Sequence, residues 1–65
     1  MDESEIRRGM RVISLRPGSV FDPDNFLTGK VKGVPNPDLP YVFLIKAEDG
    51  ERYEVNAHAI IMQAP

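Results

Sequence analysis

A chain of 65 residues with 8 Lys and Arg against 10 Asp and Glu, net charge −2, no cysteine and no tryptophan is one small domain, which buries only about 60% of its unfolded surface. Without cysteine it has neither a disulfide framework nor a zinc knuckle to supplement a compact core. No apolar run approaches the roughly 20 residues of a membrane span, and the acidic Met1-Asp2-Glu3-Ser4-Glu5 start is unlike the basic opening of a signal peptide, so a soluble, unprocessed, cytoplasmic protein is expected.

In chain order, residues 1–8 read as a flexible lead-in, and Gly9 marks entry to a single domain over 9–65. Met10-Arg11-Val12-Ile13-Ser14-Leu15 is the first β-like run. Pro17-Gly18 then signals a turn and opens the longest loop, punctuated by Asp22-Pro23-Asp24-Asn25 and carrying Phe21 and Phe26. In so small a domain those rings are expected to fold back over an open end of the core, the sharper alternative being an exposed recognition surface.

The run Leu27 to Val34 alternates, with Leu27 and Val31 on one side and Thr28, Lys30 and Lys32 on the other. Gly29 and Gly33 predict bulges or tight bends, which a small sheet needs in order to curl. Pro35-Asn36-Pro37-Asp38-Leu39-Pro40 places three prolines in six residues and predicts a stiff loop. Tyr41 to Ile45 is apolar on both faces and reads as the central strand, with Phe43 and Ile45 on one side and Val42 and Leu44 on the other. Asp49-Gly50 predicts a type I′ hairpin turn into Arg52-Tyr53-Glu54-Val55. Asn56-Ala57-His58-Ala59 suits one 3₁₀ turn before the final run Ile60-Ile61-Met62. The expected core is Val12, Leu15, Leu27, Val31, Val42, Leu44, Tyr53, Val55 and Ile60, completed by Ile13 or Met10.

This order of elements, with Gly9-Met10-Arg11-Val12 and Gly29-Lys30-Val31 followed by Val34, resembles the SH3-like small β-barrels over about residues 8–63. The resemblance implies an all-β fold: five strands in a strongly bent antiparallel barrel, with one 3₁₀ turn before the last strand. Among its members, the KOW modules of ribosomal and elongation proteins are similar in the Gly-x-Val strand, the hairpin and the segment Tyr53 to Ile60. They imply binding of RNA or RNA polymerase. The small stromal SH3-like subunit of photosystem I is similar at Arg8-Gly9, Val12, Arg16-Pro17, Ser19, Gly29, Val31, Val34 and Pro40-Tyr41-Val42, and implies an accessory docking role without a cofactor. Plasmid-type dihydrofolate reductase is also such a barrel, but Arg52-Tyr53-Glu54-Val55 departs from its pore strand. Peptide-binding SH3 domains use a tryptophan that this chain lacks.

Catalysis is poorly provided for. A nucleophile set would have to centre on the single histidine, His58, and neither a Gly-rich phosphate loop nor metal-ligand spacing accompanies it, so no enzyme activity, cofactor or metal is expected. The charges are unevenly placed: Arg7, Arg8, Arg11 and Arg16 lie near the start, while Glu48, Asp49, Glu51 and Glu54 crowd the hairpin around Arg52. The leading expectation is a non-catalytic interaction module that binds a protein partner through the 17–26 loop and the adjoining basic strand, using Arg11, Arg16, Phe21, Phe26, Lys30 and Lys32. The alternative is a KOW-like RNA or DNA binder using Arg7, Arg8, Arg11, Lys30 and Lys32. A third possibility is an oligomer that builds a ligand-binding or catalytic pore.

Overall fold

The computed structural model describes residues 1–17 and 26–65. Five antiparallel strands form one sheet: β1 (Arg11–Leu15), β2 (Phe26–Gly33), β3 (Val42–Ala47), β4 (Arg52–Asn56) and β5 (Ile60–Gln63), in the order β4-β3-β2-β1-β5. Sequence adjacency gives the meander β1 to β4, and β5 returns to the far edge beside β1. β4 and β5 are joined only by the 3₁₀ turn Ala57–Ala59. The four Cα steps from Asn56 to Ile60 reach at most about 14 Å. Opposite edges of a flat five-stranded sheet lie about 19 Å apart. The sheet is therefore curled, although no ladder joins β4 to β5 among the described residues and it stays open.

Bulges shape the curl. Arg7-Arg8-Gly9-Met10 closes a turn through Met10 N–H to the Arg7 carbonyl at 3.1 Å, and Gly9 has φ +89°, as the third residue of a type II turn requires. Gly9 N–H donates to the Val31 carbonyl while Val31 N–H donates to the Met10 carbonyl, so two residues oppose one. Lys32 is the extra residue where the β2–β3 register slips between Val31 and Gly33, and Ile61 is the extra residue where β5 slips against β1.

The interior face carries Val12, Leu27, Val31, Phe43, Ile45, Ala47, Val55, Ala57 and Ile60, with Ile6 joining from the N-terminal segment. Three expectations are corrected here. In β3 the buried set is Phe43, Ile45 and Ala47, while Val42 and Leu44 lie half-buried on the outer face. Inward pairing with β4 explains this, since Phe43 stands opposite Val55 and Ile45 opposite Tyr53. In β1 the interior position is Ser14, fully buried, with Leu15 half-buried on the other face. Where a frayed lead-in was expected, Glu3–Glu5 forms a 3₁₀ turn with Asp2 as N-cap. Beyond it Ile6 is only 7% exposed, because a sheet this short leaves one end of its core to be covered by chain from outside it.

Burying Ser14 satisfies a local need. Its hydroxyl faces the carbonyls of Leu15 at 3.0 Å and Ala59 at 3.2 Å, tying β1 to the 3₁₀ turn before β5. Ser14→Ala removes that donor, and a loss of about 1 kcal/mol is expected, read as a lower urea midpoint with unchanged m.

Candidate nucleic-acid or protein interface

The hairpin between β3 and β4 organises the outer face. Gly50 N–H donates to the Ala47 carbonyl at 3.0 Å, Ala47 N–H donates to the Glu51 carbonyl at 2.8 Å, and Asp49 accepts from Glu51 N–H at 2.8 Å. Only Gly50 has positive φ, so the turn is a three-residue loop with a glycine bulge and not the expected type I′ form, which needs positive φ at Asp49 as well. This loop sets Lys46 opposite Arg52.

Register then aligns four cations in neighbouring strands. Arg11 pairs with Lys30, Lys30 with Lys46, and Lys46 with Arg52. All four are exposed on the outer face. Lys32 stands beyond Lys30 on the β2 bulge, and Arg8 flanks the Gly9–Val31 hydrogen bond beside it. Directly opposed like charges on a sheet cost about 0.2–1 kcal/mol per pair. Among the described residues Lys30, Lys32, Lys46 and Arg52 have no ion pair to offset that cost.

Arg11 at the start of β1 and Arg16 just after its end are otherwise engaged. Arg11 donates from Nε and Nη2 to Glu48 Oε1, the former at 3.2 Å, and from Nη1 to the Pro65 carbonyl at 2.9 Å. Arg16 donates to the Tyr53 hydroxyl at 2.8 Å, lies 3.7 Å from Asp49 and sits 5.6 Å from the Tyr53 ring centre. The separation of charge expected from the sequence is thus partly cancelled, because folding brings Arg11 of β1 and Arg16 just after it against Glu48 and Asp49 of the hairpin.

Of the residues expected to form a site, Lys30 and Lys32 share the outer face of β2 with Phe26. That ring is 39% exposed, lies beside Leu15 of β1 and does not enter the core. Arg7 and Arg8 are exposed at the turn before β1. Phe21 lies outside the described residues. Sequence reasoning missed Lys46 and Arg52, because a two-residue Asp49-Gly50 turn sets Lys46 opposite Tyr53, and only the three-residue loop faces Lys46 to Arg52. His58 is exposed, and its N–H donates to the Asn56 side chain that caps the 3₁₀ turn, at 2.9 Å.

The patch is framed by acids. Glu54 follows Arg52 two residues along the same face of β4, and Glu48, Asp49 and Glu51 occupy the hairpin end. Among the described residues no helix is long and apolar enough to cross a membrane. No protein-family model matches this chain, and neither a curated protein nor a solved structure does.

Proposed function

We propose that this chain is a non-catalytic, SH3-like interaction module that docks an acidic segment of a partner protein on the outer face of β2, β3 and β4. The cationic row Arg11, Lys30, Lys46, Arg52 carries this reading, for it places like charges side by side at a cost to the fold. The linear strand order β4-β3-β2-β1-β5 and the 3₁₀ turn before β5 support the SH3-like barrel as its scaffold. Docking is assigned to the strand face because Lys30, Lys46 and Arg52 stand exposed there without an ion pair among the described residues, whereas Arg16 is turned toward Asp49 and Tyr53.

The acidic frame favours protein over nucleic acid. A polynucleotide carries charge at every residue and is repelled where it leaves the patch over Glu48 or Glu54, whereas a protein segment can end its acids where the cations end. One observation favours nucleic acid: Phe26 stands in line with Lys30 and Lys32, as a base-stacking ring would.

Fluorescence polarisation with a labelled peptide of alternating glutamate and serine tests the reading, with a labelled oligothymidylate run beside it. The peptide is expected to bind, to weaken as salt rises and to be lost on Lys46→Glu. Tighter binding of the oligonucleotide, or no binding of the peptide, overturns it.

A further inference from the structure

We propose that Glu48 is a built-in competitor for the acidic partner: its carboxylate occupies Arg11, and the partner's carboxylate displaces it on docking. The inference rests on the docking reading above and names the residue that tunes it.

Three observations converge on Glu48. Arg11 is one end of the cationic row, directly beside Lys30 in register, yet its guanidinium is held by the one acid that reaches it from the hairpin. The hold is one-sided, since Nε and Nη2 both donate to Oε1 and Oε2 accepts no hydrogen bond among the described residues. Arginine and carboxylate bind most strongly as a two-oxygen fork, which this pair does not form. The pair is also accessible, its side chains being 50% and 62% exposed, so water and an incoming anion reach both partners. Exposed pairs of this kind are worth little and exchange readily.

The backbone permits the exchange. Glu48 N–H donates to the Thr28 carbonyl at 3.0 Å, and the turn is closed by Ala47, Asp49, Gly50 and Glu51 without the Glu48 side chain. The side chain can therefore swing off Arg11 while the hairpin stays formed. An arriving segment then meets Arg11, Lys30, Lys46 and Arg52 together, and displacing Glu48 lowers the affinity of every ligand that takes up Arg11.

The same glutamate–serine peptide tests this by fluorescence polarisation on wild type, Glu48→Gln, Glu51→Gln, Arg11→Gln and the Arg11→Gln/Glu48→Gln double variant. Glu51→Gln makes the same change of charge on the hairpin and controls for the general field. Glu48→Gln is expected to bind about threefold more tightly than wild type, with a gain larger than that of Glu51→Gln and absent in the Arg11→Gln background. Equal gains for the two glutamates, or a gain that persists without Arg11, overturns the competitor. Loss of peptide binding on Lys46→Glu without any gain from Glu48→Gln also removes the competitor and leaves the docking reading standing. Binding unaffected by Lys46→Glu brings down both.

Discussion

Gly29→Ala is expected to destabilise the protein by about 3 kcal/mol, the upper part of the range for forcing a methyl group into a packed interior. A Cβ built on Gly29 lies 2.5 Å from the Lys46 carbonyl oxygen, 2.7 Å from Ile45 Cγ2 and 2.9 Å from Ala47 Cα. Two of those three atoms are backbone, so β3 itself must move away from β2 where Gly29 faces Ala47 and Lys30 faces Lys46. A small domain has a total stability of about 3–10 kcal/mol, so the loss approaches the whole of it at the lower end. Gly33→Ala is the comparison. Its Cβ meets nothing within 4 Å, leaving only the strain of φ +139°, about 1–2 kcal/mol. Urea denaturation of the two variants separates the cases. A Gly29→Ala protein no less stable than Gly33→Ala contradicts the close approach of β2 and β3.

Lys46→Glu is expected to change binding and stability in opposite directions. Lys46 stands between Lys30 and Arg52, so a glutamate there turns two repulsive cross-strand pairs into two attractive ones. The fold should gain about 0.5 kcal/mol. Affinity for the acidic peptide should fall at least about tenfold, because the substitution removes an attraction at the centre of the row and puts a like charge against the ligand. A residue that served only the fold would not show this pairing of signs. If Lys46→Glu lowers stability, the row is held in place by contacts other than those described.

The strand rhythm is legible because it depends on local chemistry: glycine and proline at turns, alternation in β2, and Asp49-Gly50 between two apolar runs. Which face of a strand points inward is harder to read. Tyr41 to Ile45 is apolar on both sides, so its own residues do not choose between Phe43 with Ile45 and Val42 with Leu44. The choice is made across the hairpin, where the alternation of Tyr53 and Val55 sets the phase. An expected core containing both Val12 and Leu15 breaks the period of two within β1, and keeping to that period points to Ser14. A serine is passed over because its hydroxyl acceptor, the Ala59 carbonyl, is 45 residues away. The same distance in sequence hides the contacts of Arg11 with Glu48 and of Arg16 with Tyr53, each spanning 37 residues. Lys30 and Lys32 were legible as one face of a strand, whereas the row they belong to appears only once Lys46 and Arg52 are placed beside them.

The outer cationic face of β2, β3 and β4 is proposed as the docking surface, and it can be mapped by titrating the isotopically labelled protein with the glutamate–serine peptide and following backbone amide shifts by NMR. The shifts are expected to concentrate at Lys30, Lys32, Lys46 and Arg52, with Arg11 and Glu48 moving together. Shifts confined to the far end of the β3–β4 ladder, around Tyr41, Ala57 and His58, or none at peptide concentrations that saturate polarisation, would contradict it.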